Sequence, residues 1–172
     1  MKQFFLSLLL VFSVLNLAQT TEDRAYLVKV GDRAPLFRMY LTSGKQVKLA
    51  DLKGKVVMLQ FTASWCSVCR KEMPFIERDI WLKHKRNTNF VLLAIDRDEP
   101  LDKVLYFVKT TRISYPIGLD PKADIFALYA KREAGITRNV IIDKTGKIVM
   151  LTRLYDETEF NKMTNLIDSL LK

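Results

Sequence analysis

The run Lys55–Thr62 (KVVMLQFT) is β-prone and almost without a polar break. A strand that is apolar on both faces must be covered on both faces, so it reads as a central strand of a layered α/β domain. Phe90–Asp96 (FVLLAID) is a second run of the same kind. The segments around them alternate in period. A helix is expected from Cys66 to about Lys85. Leu101–Thr110 reads as a helix with Leu101, Val104, Leu105 and Val108 on its apolar face. Tyr115–Leu119 reads as a short strand, and Asp120–Ala130 as a helix with Pro121 in its first turn. Asn139–Asp143 and Lys147–Leu154 read as strands joined by the turn Asp143–Gly146, and Glu157–Leu171 as a last helix carrying Phe160, Met163, Leu166, Ile167 and Leu170. At the front, Leu36–Tyr40 and Gln46–Leu49 flank a Thr-Ser-Gly-Lys turn and read as a hairpin, with a strand expected at Ala25–Val30.

The 172 residues suit one domain, and 49% hydrophobic content excludes a disordered chain. Two Cys exclude a disulfide-rich scaffold, and with one His they cannot fill a four-ligand zinc site without carboxylates or a second subunit. The net charge of +9 is compatible with anionic partners or with diffuse solubilising charge. Lys83-His84-Lys85-Arg86, the densest basic run, lacks the interleaved aromatics of a nucleic-acid surface. Lys2 precedes an apolar run from Phe4 to Leu17. Residues 1–18 therefore read as a secretory signal cleaved after Ala18, or as an uncleaved membrane anchor. Residues 19–30 form a lead-in and 31–172 the domain, which is expected to operate outside the cytoplasm, where disulfides persist.

Trp65-Cys66-Ser67-Val68-Cys69 follows the first buried strand and opens a helix. The helix N-terminus carries about half a positive charge and unpaired N–H groups, both of which favour a thiolate on Cys66. A thiol of pKa near ~8.5 is only about 3% ionised at pH 7; at pKa ~7 it is about half ionised. Cys69 lies one turn on, within reach of Cys66, so one sulfur can attack a partner disulfide and the other resolve the mixed disulfide. Arg70 and Lys71 add positive charge. The same pair could instead be a static disulfide, or half of a zinc site that would need a second Cys pair. Other polar residues have bland readings beside functional ones. His84 reads as a surface residue at a helix end. Asp96 stands at the carboxyl edge of a strand, where it either serves a site or caps the next loop.

Phe61-Thr62-Ala63-Ser64-Trp65-Cys66-Ser67-Val68-Cys69-Arg70-Lys71-Glu72-Met73-Pro74 resembles the active-site motif of thioredoxin-like proteins. With Val30–Pro35, Leu52–Val57 and Ile141–Ile148, the pattern is similar to the extracytoplasmic TlpA/ResA/DsbE type of thiol–disulfide oxidoreductase, over residues 30–172. The resemblance implies a thioredoxin fold: a central mixed sheet flanked by helices on both faces, here with an added N-terminal hairpin. It implies a periplasmic, bacterial protein. Its reaction would be disulfide exchange with exported proteins, as a reductant, apocytochrome c being one substrate class. Its electrons would come from a membrane thiol-transfer protein. No cofactor is implied beyond the redox-active Cys66–Cys69 pair. Cys66 would be the exposed nucleophile and Cys69 the buried resolving thiol. Glu72 matches the acidic residue of this branch and could take the Cys69 proton, unless it is an ordinary solvated carboxylate. Gln60 stands where cytoplasmic thioredoxins carry a buried Asp, which puts more weight on Glu72. Pro74 should kink the helix.

One departure concerns Gly135-Ile136-Thr137-Arg138-Asn139, where Thr137 occupies the family's cis-proline position. A cis bond before a non-proline residue costs about 2.5–4 kcal/mol, so Ile136–Thr137 is expected to be trans. Its hydroxyl could hydrogen-bond near the sulfurs. Trp65, Ile136, Thr137 and Arg138 are the expected substrate contacts, with Lys131, Arg132 and Arg138 either making the docking face basic or merely solvated. Three other functions compete. A peroxiredoxin-type peroxidase usually has Thr or Ser where this chain has Ala63. A Sco-like copper chaperone has a wider Cys spacing and a His ligand that His84 matches poorly. The third is a redox-inert adhesion or folding module.

Overall fold

The computed structural model describes residues 24–172, so the proposed signal segment lies outside the described residues. Seven strands form one sheet in the order β2-β1-β5-β4-β3-β6-β7. They are β1 (Arg38–Leu41), β2 (Gln46–Lys48), β3 (Val56–Thr62), β4 (Phe90–Arg97), β5 (Ile117–Asp120), β6 (Arg138–Ile142) and β7 (Ile148–Arg153). β3, β4 and β5 run parallel; β6 pairs antiparallel with β3, and β7 with β6. The β1–β2 hairpin joins the sheet through β5, also antiparallel. This is a thioredoxin-type mixed sheet.

β3 is buried at every position, as its composition demands. Alternate residues serve two cores. Val57, Leu59 and Phe61 pack with Phe126, Tyr129 and Val140. Val56 and Met58 pack on the other face against Met73, Ile76 and Ile80, against Val104 and Phe107, and against Phe160, Met163 and Ile167. The last two groups lie on α3 (Leu101–Thr111) and α5 (Glu157–Leu170).

Several local expectations yield to tertiary packing. Ala25–Val30 is no strand: Ala25 takes a left-handed φ of 55°, and only Tyr26 bridges to Ala130. The helix after the Cys motif is not uniform. It runs as α1 (Ser67–Phe75), a wide i→i+5 segment at Ile76–Trp81 and a last turn, α2 (Leu82–His84). Pro74 has no N–H for the Arg70 carbonyl, and the ladder re-forms with a wider turn. On α3 the buried residues are Val104 and Phe107, while Leu101, Leu105 and Tyr106 are exposed. The bulkier Phe107 therefore takes the place on the sheet that the leucine stripe suggested. The expected helix Asp120–Ala130 shrinks to α4 (Phe126–Tyr129). Asp120 accepts the Ile125 and Phe126 N–H groups at 3.1 and 2.8 Å, and Ala123 turns left-handed at φ 53°. Both hold residues 121–125 in a turn. Between β6 and β7, Asp143 Oδ1 accepts from the Thr145 N–H, the Thr145 hydroxyl and the Lys147 N–H, and Gly146 supplies the positive φ that closes the turn.

Candidate active site

β3 delivers the chain to Ala63 at the carboxyl edge of the sheet, and α1 begins four residues later. Cys66 is the N-cap of α1, and its sulfur accepts the Cys69 N–H at 3.1 Å. The helix thus donates a backbone N–H to the sulfur that would carry charge. Cys66 and Cys69 are joined in a disulfide with Cα atoms 5.3 Å apart. Their burial differs: Cys66 is 7% exposed and Cys69 0%.

Thr137 is brought against this pair from the other side of β3. Its hydroxyl lies 3.1 Å from Cys66 Sγ and 3.3 Å from Cys69 Sγ, and the Ile136–Thr137 bond is trans. A hydroxyl so placed can donate to a thiolate. Hydrogen bonds to charged groups contribute about 1.5–3 kcal/mol, roughly one to two pKa units of thiol acidity. Thr137→Val is therefore expected to raise the Cys66 thiol pKa by about one unit and to slow its alkylation at neutral pH up to about tenfold. A pH series of iodoacetamide rates checks this; an unchanged profile removes the hydroxyl from thiol activation.

Glu72 is not a solvated carboxylate. It is 2% exposed, on the inner face of α1. Asn139 Nδ2 donates to its Oε1 at 2.7 Å and also approaches the Thr152 hydroxyl at 3.0 Å. Oε2 has no protein partner among the described residues. Burial pushes the Glu72 carboxyl up to about 7, against a smaller opposing pull from the amides of Asn139 and Gln60. Gln60 is itself buried, and its carbonyl accepts the Tyr115 hydroxyl at 2.9 Å. The environment therefore holds a carboxyl poised for proton transfer near neutral pH.

The loop between β3 and α1 is held by a residue that sequence reading missed. Glu99 is 5% exposed and accepts both the N–H and the hydroxyl of Ser64. Asp96 does not cap the next loop: it is fully buried, neither oxygen has a partner among the described residues, and burial followed by the nearby Glu99 charge raises it to about 8. Asn139 was missed as well; an amide at a strand position carries no signal of the carboxyl opposite it.

Trp65 is 59% exposed, with the Arg97 guanidinium 5.6 Å from its ring. Ile136 and Thr137 are each 3% exposed. Arg138 does not reach a docking face: it points into the core and is fully buried. Arg132 is exposed and paired with Asp124, and Lys131 is exposed. Arg70 donates to the Ser64 carbonyl at 2.8 Å and stacks on Phe107, while Lys71 sits over Tyr155. His84 joins Asp168 at 2.8 Å on the far side of the helix run, away from the sulfurs.

The Redoxin family profile matches residues 29–167. A thiol-disulfide oxidoreductase ResA from Bacillus cereus is 34% identical over 122 residues, covering 71% of this chain and 68% of the relative. The solution structure of a candidate protein disulfide isomerase from Bacteroides thetaiotaomicron is 66% identical with a TM-score of 0.84, covering 86% of this chain and 92% of that one. A crystal structure of a candidate thiol:disulfide interchange protein DsbE from Chlorobium tepidum is 27% identical with a TM-score of 0.74, over 84% and 99% of the two chains.

Proposed function

The chain belongs to the Redoxin family as a protein thiol–disulfide oxidoreductase of the TlpA/ResA/DsbE type, and we propose that it acts as a reductant of disulfides in exported proteins. The observation that carries this reading is one helix holding three groups one turn apart: Cys66 at its N-cap at the rim, and Cys69 and Glu72 both buried behind it. In the proposed reaction the Cys66 thiolate attacks one sulfur of a substrate disulfide. That S–S bond breaks, and the departing thiolate takes a proton from water. Glu72 accepts the Cys69 proton, and the Cys69 thiolate then attacks Cys66 Sγ. The mixed disulfide breaks, the second substrate sulfur leaves as a thiolate that takes a proton from water, Glu72 returns its proton to solvent, and Cys66–Cys69 closes. Two electrons have moved to the substrate. Trp65 flanks the approach, with Ile136 and Thr137 behind the sulfurs.

Reduced protein must be regenerated by a dithiol donor, for which a membrane thiol-transfer protein is suited. The apolar run Phe4–Leu17 supports an extracytoplasmic, periplasmic location, either free or tethered. Apocytochrome c is one substrate class; any exported protein with an accessible disulfide meets the same chemistry. Equilibration with glutathione or dithiothreitol buffers tests the direction. A potential near about −250 mV or below is expected, and one near about −120 mV would make the protein an oxidant.

A further inference from the structure

Arg138 heads the fully buried side chains by size. Its Nη2 donates to the Arg24 carbonyl at 2.6 Å. Its Nε and Nη1 have no hydrogen-bond partner, and no carboxylate pairs with it among the described residues. Its guanidinium lies 4.7 Å from the Tyr26 ring centre and 5.8 Å from that of Phe126. Among the described residues, the charged side chains that act on it most are Arg24, Arg97 and Arg153. Arg24 is paired with Glu159 and Arg97 with Asp98. Tyr26 stays neutral, its pKa raised by burial. An unpaired buried cation is costly, and two aromatic faces offset only part of that cost.

The location of this cation gives it a use. Arg138 directly follows Thr137, whose hydroxyl touches both sulfurs, and it pairs in register with Phe61 of β3. Phe61, Cys66 and Cys69 belong to one core cluster, on the face where Phe126 and Tyr26 meet the guanidinium. The oxidised pair is neutral. Reduction adds two electrons and one proton, leaving a thiolate on Cys66 and a thiol on Cys69, so the site gains one negative charge. We propose that Arg138 is a buried counter-charge for the Cys66 thiolate, which makes the protein less reducing than the same fold with a neutral residue at position 138. The guanidinium acts through its field and does not touch the substrate. The inference rests on Cys66 being the thiolate, the assignment made under the proposed function.

Arg138→Met and Arg138→Lys test it, with Met keeping the apolar bulk and Lys the charge. The Met variant is expected to shift the exchange equilibrium about tenfold toward the disulfide, which for this two-electron couple is about 30 mV, and to raise the Cys66 thiol pKa by about one unit. The Lys variant is expected to retain most of the parent potential and pH profile. A purely structural clamp on Arg24 would make the two variants alike. The proposal is overturned if the folded Met variant keeps the parent potential and alkylation profile, or if Lys shifts them as far as Met. Where neither variant folds, the unmodified protein decides through the ¹⁵N resonance of the Arg138 Nε–H. It is expected to titrate with the Cys66 thiol in the reduced protein and to stay flat in the oxidised one; a flat response in both overturns the idea. Trapping with Cys69→Ser separates the premises. Failure of Cys66 to form the mixed disulfide undoes the proposed mechanism, whereas an unshifted Met variant with normal trapping undoes only the role of Arg138.

Discussion

Cys66→Ser is expected to lose disulfide exchange down to the uncatalysed background, while Cys69→Ser accumulates a covalent mixed disulfide with its substrate. Only the thiolate is a competent nucleophile, and a serine hydroxyl is not appreciably ionised at neutral pH. Burial sets the asymmetry between the two cysteines. Cys69 is sealed at 0% exposure, so a substrate sulfur arriving from solvent meets Cys66 first. With Cys69 replaced, the first displacement proceeds and the second has no attacking sulfur. Non-reducing electrophoresis against a disulfide-bonded protein such as insulin reads the outcome. Folding tolerates the substitution: a disulfide closing a four-residue loop contributes only roughly 2 kcal/mol in the chain-entropy account. Equal trapping by both variants would sink the assignment of roles.

Glu72→Gln is expected to change two pH profiles at once. The carboxyl rises from an ordinary 4.5 to about 7 on folding, because burial penalises its charge. Between these values the unfolded chain ionises while the folded one stays protonated. Stability is therefore full below about pH 4.5, falls as pH rises through this window and levels off above about 7. At 1.36 kcal/mol per unit, the loss is about 3 kcal/mol. Urea unfolding of the oxidised protein at about pH 4 and about pH 8 measures it without interference from the thiols. Asp96, raised to about 8, adds a slope of the same sign, so the difference between parent and variant isolates Glu72. The variant is expected to lose that share of the slope. Its resolving step should also slow by about a hundredfold, since a neutral amide cannot accept the Cys69 proton. A variant as steep as the parent and as fast in resolution would remove Glu72 from both roles.

The legible parts of the chain share a property: each is decided within a few residues. β3 and β4 announce themselves by uninterrupted apolar runs, and the Cys motif by its spacing after β3. The failures have the opposite character. On α3, Leu105 and Phe107 are both apolar and close in sequence, and only the shape of the sheet beneath chose Phe107. At Asp120–Ala130 the helical pattern was sound, but the Asp120 carboxylate captured two N–H groups five and six residues ahead. Local propensity favoured a helix, and a side chain-to-backbone bond favoured the turn.

The sequence by itself determined the layered α/β architecture and the Cys66–Cys69 pair at a helix start, because periodicity and motif spacing are properties of adjacent residues. The tertiary structure alone decided the state of the groups around that pair. Asn139 meets Glu72 across 67 positions, and Thr137 reaches the sulfurs across 71 and 68. Arg138 looked like a charge at the rim and is wholly enclosed. The free energy of a proton or a charge depends on which atoms exclude water from it, and those atoms come from strands and helices distant in the chain.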